Sequence, residues 1–323
     1  MGCGNVGSRH LQGLVTLSNY YPIEINVIEP NPMAREIAIN RIGLIQRNNL
    51  NLKLSWLGQL DNINEESDLT IVATLATGRI QLLDSLLKKG HRKFIIEKMV
   101  CQSVKEYDFL LELFEKHHAK GWVNCVCRSF EFYQKIKNKL PSSTSIILNV
   151  TSGNLGLGSN AIHYLDLFSY FIGKEGYNLK IIGNHLYPAL LTNRRENKLV
   201  EFAGSIIAQA GANHYCLLTF SAEKKNSAVI FLQTDHIRFM VDEWSTKAYW
   251  AGETNQWKWE DTEFRYQHIS ELVTSYAVDI FETDECVLSS IEQSYITHKE
   301  LFHVFNTHYQ VITGIPIDLC PIT

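Results

Sequence analysis

The sequence predicts an α/β chain with a doubly wound parallel sheet in its first part, followed by an α+β part built on a largely antiparallel sheet. Three observations carry this. A glycine loop, Gly2-Cys3-Gly4-Asn5-Val6-Gly7, runs directly into a helical pattern that begins at Ser8. Short apolar runs then alternate with amphipathic stretches up to about residue 121, as in strand–helix–strand units. Beyond that point strand-like runs follow one another with few helices between them. The segments are therefore 1–121 and 122–323, with no linker, repeat or low-complexity stretch between them.

The glycine loop has the G-x-G-x-x-G spacing of a dinucleotide site. In such a loop the first glycine permits the turn and the second lets backbone approach a pyrophosphate. The third lets helix pack on strand. The anion then rests on the N-terminus of the helix. Ile23-Glu24-Ile25-Asn26-Val27-Ile28 reads as the next strand and ends at Glu29, which lies 22 residues beyond Gly7. An acid at that distance accepts from ribose hydroxyls, although a turn residue before Pro30 is the plainer reading. A carboxylate there repels a 2′-phosphate, so NAD is the expected cofactor. The nearby Arg35 keeps NADP as the lesser alternative.

The remaining elements follow in order. A helix is expected over 33–48, a strand over 52–57 and a buried strand over 68–74, whose Ala73-Thr74 exit forms a loop at the carboxyl end. A helix over 80–89 stops at Gly90, a strand over 93–96 ends at Glu97-Lys98, and a helix over 104–118 has Ser103 as its cap. A strand is read over 121–127, which would point Cys125 and Cys127 to opposite faces. Later strands fall at 145–151, 179–182, 200–208, 215–221, 228–233 and 236–241. Helices are expected before Pro141, over 160–172 up to Gly173, and over 290–310.

Composition excludes several classes. The chain is 45% hydrophobic and 20% charged with a net charge of −4, which gives no basic patch for nucleic acid. No apolar run reaches the roughly 18 residues of a membrane span. There is no signal-peptide pattern, and Val6 breaks the acylation motif that Met1-Gly2 would otherwise begin. Seven scattered cysteines without a C-x-x-C point to a reducing cytoplasm, with no disulfide framework and no metal site.

With these pieces in order, the chain resembles the glucose–fructose oxidoreductase / inositol dehydrogenase / rhizopine-catabolism (Gfo/Idh/MocA) family over nearly its whole length. The landmarks are the glycine loop followed by Arg9-His10, then Val72-Ala73-Thr74, then Glu97-Lys98-Met99, where the family has Glu-Lys-Pro. The fourth is Ser159-Asn160-Ala161-Ile162-His163-Tyr164-Leu165-Asp166, where the family reads Asp, three residues, His, two residues, Asp. The resemblance implies an N-terminal Rossmann domain, a C-terminal domain with an open, mainly antiparallel sheet that makes a homo-oligomer, and hydride exchange with a sugar, cyclitol or nucleotide sugar. It places Gly2, Cys3, Gly4, Asn5, Val6, Gly7, Glu29, Ala73, Thr74, Glu97 and Lys98 on the cofactor. It places Lys98, Arg128, Ser159, Asn160, His163 and Asp166 on the substrate.

The chemistry explains these choices. Removing or supplying a hydroxyl proton needs a group that titrates near neutrality, which fits His163, though a helix histidine packed beside the core has the same spacing. Lys98 at a strand's carboxyl end is placed to orient the substrate oxygen; the plainer reading is a surface lysine. Asp166 orients the imidazole, binds substrate or braces the helix. Arg128, and the loop pair Arg194-Arg195, could fork onto phosphate or carboxylate, or simply be solvated. Trp244, Tyr249, Trp250, Trp257 and Trp259 suit sugar stacking, a core or an interface.

Three departures matter. Ser159 cannot hold the charge of the family's aspartate, so it either hydrogen-bonds substrate or caps the helix. Met99 replaces a proline, and since a non-proline cis bond costs about 3 kcal/mol, a trans bond and a differently aimed Lys98 are expected. Only Met1 precedes the loop where a central strand belongs, so about five to eight apolar residues are expected ahead of it. These departures also motivate a rival reading, a non-catalytic nucleotide- or sugar-binding regulator on the same fold.

Overall fold

The computed structural model describes residues 1–60, 66–141, 144–192 and 199–322. The chain forms two compact units. The first comprises Met1–Cys101, Asp108–Val126 and Gln267–Ile291; the second comprises Gln102–Tyr107, Cys127–Tyr266 and Glu292–Thr323. The Arg194-Arg195 pair lies outside the described residues.

In the first unit, helix α1 (Gly7–Thr16) leaves the glycine loop and is followed by strand β1 (Ile23–Ile28). Helix α2 (Pro32–Gly43) starts at Asn31, whose side chain accepts from Met33 N at 3.0 Å, with Pro32 in the first turn. It is shorter than expected and ends at Gly43. Strand β2 (Leu52–Leu57) pairs parallel with β1, Ile25 opposite Leu54. Strand β3 (Thr70–Val72), helix α3 (Arg79–Lys88) and strand β4 (Lys93–Ile96) follow. Helix α4 (Val104–Lys116), whose residues up to Tyr107 count with the second unit, has Ser103 Oγ accepting from Glu106 N at 3.1 Å, as a cap should. Strand β5 (Lys120–Val123) closes the parallel series β3-β4-β5. The strand expected to run on to Cys127 stops at Val123, because Asn124 turns its amide onto Glu97 at 2.6 Å.

Residues 1 and 2 lie between β1 and β3. Gly2 N donates to Ile28 O of β1 at 2.9 Å, Met1 N to Ile71 O of β3 at 2.8 Å, and Ala73 N to Met1 O at 2.8 Å. Gly2 on the β1 side and Met1 on the β3 side thus bridge β2-β1 to β3-β4-β5, in the order of a doubly wound sheet. Behind it a cavity of about 660 Å³ runs between the facing strand edges, lined by Ile23, Ile25, Val27, Leu69 and Ile71.

The second unit holds helix α5 (Glu131–Lys139), strand β6 (Ile147–Ser152) and helix α6 (Leu157–Ile172), which ends at Gly173 with φ +69°. Strands β7 (Lys180–Leu186), β8 (Leu191–Thr192), β9 (Val200–Glu201), β10 (Gly204–Ala210), β11 (His214–Phe220), β12 (Val229–Gln233), β13 (Ile237–Asp242), β14 (Lys247–Gly252) and β15 (Glu260–Glu263) follow. Eight of them form one sheet in the order β15-β14-β13-β12-β6-β11-β10-β7, antiparallel except for β6 beside β11. Alternation decides its faces. Leu148, Val150, Cys216, Leu218, Ile230 and Leu232 are buried on one side, where α6 packs on β11. The other side carries a registered row, Ile207–Leu217–Asn149–Phe231–Met240–Tyr249.

Two further elements complete the chain. Helix α7 (Ile269–Thr283) belongs to the first unit and packs on α1. There Thr274 Oγ1 donates to Gly13 O at 2.9 Å, and a Cβ on Gly13 would stand 2.0 Å from Val273 Cγ1. Strand β16 (Ser289–Ser290) pairs antiparallel with β5, and helix α8 (Ile291–Thr313) ends the chain's regular structure.

Candidate functional site

The glycine loop is built by contact. Gly2 takes φ +76° and lies against the backbone of Ala73 and Thr74, where a Cβ would meet Thr74 N at 3.0 Å. A Cβ on Gly7 would fall 2.0 Å from Gly2 O, so the helix can start only on a glycine there. Gly4 differs: a Cβ would meet nothing within 4 Å. Its bare backbone faces open space at the start of α1, as a pyrophosphate cradle requires.

Glu29 is brought onto this loop. It is buried, its Oε2 accepts from Cys3 N at 2.6 Å and its Oε1 from Asn31 N at 2.8 Å. Each oxygen keeps a further lone pair, so the carboxylate can tie the loop to β1 and still face a ribose. Arg35 Nη2 donates to Glu29 O at 3.0 Å and its guanidinium lies 5.8 Å over the Trp56 ring. Arg41, from α2, donates to Asn5 O at 2.8 Å and to Ser8 Oγ, which puts a cation at the loop. The sequence reading missed it, since nothing local distinguishes this arginine on an exposed helix.

The Glu97-Lys98-Met99 turn lies at the end of β4 in the same unit. Glu97 is buried, with His10 Nε2 at 2.8 Å and Asn124 Nδ2 at 2.6 Å from the same oxygen. Burial by itself raises this carboxyl, but His10, Asn124 and the Lys98 charge outweigh it and hold it at about 2. Its carboxylate is thus engaged inside the unit. The expectation of a trans bond after Lys98 is corrected: the Lys98–Met99 peptide is cis. Met99 is buried, and Arg79 gathers the surrounding carbonyls, donating to Glu97 O and Thr74 O, to Met99 O at 2.5 Å and to Val100 O at 3.2 Å. Arg79 is 1% exposed, and the sequence reading passed over it as the residue before a helix. Lys98 itself is half-buried.

The substrate candidates Arg128, Ser159, Asn160, His163 and Asp166 all fall in the second unit. Two of them hold each other. Arg128 Nε and Nη2 donate to Asp166 Oδ2 and Oδ1 at 2.6 and 2.9 Å, and the guanidinium lies 5.2 Å over Tyr170. Both groups are buried, so this edge of the Arg128 fork is taken up within the unit and braces α6. Asn160 Nδ2 donates back to Leu155 O at 2.7 Å and Gly156 O at 3.1 Å, fastening the first turn of α6. Ser159 does not cap that helix, because its hydroxyl donates to Glu201. His163 is half-buried on α6, one turn after Ser159 and three residues before Asp166.

No family model matches the chain, and no curated protein matches it either. Solved structures do. The chain has the fold of the Gfo/Idh/MocA oxidoreductases: a member from Vibrio cholerae superposes with TM-score 0.67 at 15% identity, over 97% of this chain and 97% of that one. The UDP-N-acetylglucosamine 3-dehydrogenase GnnA from Acidithiobacillus ferrooxidans gives TM-score 0.68 at 10% identity, covering 98% of this chain and 96% of that one. A 3-ketoreductase from Actinomadura kijaniata, solved with NADP, gives 0.68 at 12% identity over 95% of each chain. The fold expected from four short motifs is the fold found. Among the described residues no helix is long and apolar enough to cross a membrane.

Proposed function

We propose that the chain is an NAD-dependent oxidoreductase acting on a hydroxyl or carbonyl of a sugar, cyclitol or nucleotide sugar. The observation that carries the reading is the loop. Gly2 and Gly7 are sterically required, Gly4 is bare and open, and the Glu29 carboxylate is fastened to Cys3 N. The residues present fit a dinucleotide: the loop and the start of α1 receive the pyrophosphate, and Glu29 accepts from ribose hydroxyls. A 2′-phosphate would meet that carboxylate, which favours NAD, while Arg35 is the residue through which NADP could still bind.

When bound, a nicotinamide supplies or accepts the hydride. The protein handles the proton. His163 takes the proton from the substrate hydroxyl in oxidation and returns it in reduction, and Lys98 orients the oxygen that changes bond order. Arg79 sets the turn that bears Lys98, and the Arg128–Asp166 pair stiffens the helix that bears His163. The name of GnnA, a UDP-N-acetylglucosamine 3-dehydrogenase, suggests nucleotide sugars as the first substrates to try. The open sheet face, with exposed Ile182, Ile207, Tyr215, Leu217 and Met240, is the surface a second copy would cover.

The test is a titration of NADH and NADPH followed by nicotinamide fluorescence, then turnover of UDP-N-acetylglucosamine with NAD. His163→Ala is expected to cut turnover at least about 100-fold while NADH still binds. Tight NADH binding without consumption of any sugar offered would favour the regulatory reading instead.

A further inference from the structure

Helix α6 starts on a carboxylate that belongs to another element. Glu201, on β9, is 7% exposed. Its Oε2 accepts the Ser159 hydroxyl, Ser159 N reaches its two oxygens at 3.1 and 3.3 Å, and Phe202 N reaches Oε1 at 2.9 Å. Two glycines make room for it. A Cβ on Gly156 would stand 2.4 Å from Oε2, and one on Gly158 would stand 2.5 Å from Oε1. Burial pushes the carboxyl up, and the donors from Ser159, Phe202 and Gly158 pull it back. Cys320, from the C-terminal segment, is a further titratable neighbour, and burial pushes its thiol up and keeps it neutral. Asp166, the acid of α6 itself, is matched by Arg128.

The placement bears on His163. Residues four apart on a helix have Cβ atoms roughly 5–6 Å from each other. Helical side chains lean toward the N-terminus, so the His163 imidazole leans over the turn that Glu201 holds. We propose that Glu201 is the positioning carboxylate for His163, supplying from β9 the negative charge that Ser159 cannot carry. The inference rests on the reading of His163 as the proton-exchanging group. Within it, Ser159 is a ligand of the acid and not of the substrate. The charge favours the imidazolium form and so sets where His163 titrates.

The test needs neither cofactor nor sugar. The His163 pKa is read from histidine-labelled full-length protein by two-dimensional NMR, its signal assigned with His163→Gln. Glu201→Gln is expected to lower that pKa by about half a unit or more, and Ser159→Asp/Glu201→Gln, which moves the carboxylate to the other partner, to restore it to within about 0.2. An unmoved His163 pKa in a folded Glu201→Gln protein overturns the proposal. If Glu201→Gln alone does not fold, the double variant decides. A pKa near wild type supports the role, and a fall of about half a unit or more refutes it. Failure of the catalytic reading shows separately, as absence of turnover by the wild type.

Discussion

Replacing Glu97 by Gln removes one charge and almost no volume from the buried contact with His10 and Asn124. The carboxyl sits at about 2 in the folded protein against an ordinary value of 4.5. At about 1.4 kcal/mol per pH unit, the charged form stabilises the fold by about 3 kcal/mol. Because the folded value is the lower one, this stabilisation is complete above about 4.5 and is lost as pH falls through about 2. Less than half of it, about 1 kcal/mol, is left at pH 3. A loss of about 3 kcal/mol lowers Tm by roughly 6–12 °C in a domain of this size. The assay is a thermal melt of wild type and Glu97→Gln from pH 7 down to pH 3. The expected result is a gap in Tm that is full at pH 7 and shrinks by more than half at pH 3. A gap of the same size at both pH values would refute the electrostatic account, and so would a variant that melts with the wild type at pH 7.

Three further outcomes are expected. Gly4→Ala leaves Tm within about 2 °C, since the new methyl meets nothing in the protein, but weakens NADH binding at least about tenfold; equal losses in both would show the loop is structural only. Arg79→Ala takes a donor from the carbonyls of Thr74, Glu97, Met99 and Val100, and since a buried carbonyl left unpaired costs about 1–3 kcal/mol, urea unfolding should show a loss of at least about 3 kcal/mol. Fusing about five alternating apolar residues ahead of Met1 should raise Tm by at least about 5 °C, because the added strand fills the cavity between β1 and β3. An unchanged melt would mean that the facing strand edges are not a strand site.

The sequence showed what is local. β1, β2 and β4 stand where their apolar runs end, and α6 stops at Gly173 as read. The glycine loop was legible because steric need leaves glycine at fixed spacing. What escaped reading depends on residues far apart in the chain. Arg128 and Asp166 are 38 positions apart, and no spacing rule pairs them. Arg79 looks like an ordinary first-turn arginine until the carbonyls at 97–100 are folded over it. Glu201 sits on a two-residue strand that carries no periodic signal. Helix α7 was missed for a related reason: it follows a polar, aromatic stretch and begins at His268 without a side-chain cap to announce it.

Helix α7 also sets a schedule. Gly13 on α1 has a hole shaped for Val273, and β5 is paired at its edge by Ser289-Ser290. The first unit is thus begun first and finished late, since its final piece, 267–291, leaves the ribosome after most of the second unit has been made. A nascent chain of 126 residues exposes the α1 face and lacks its seal. Nonsense or frameshift lesions anywhere before residue 291 should therefore disable both units, and the isolated N-terminal stretch should be a poor choice for recombinant production.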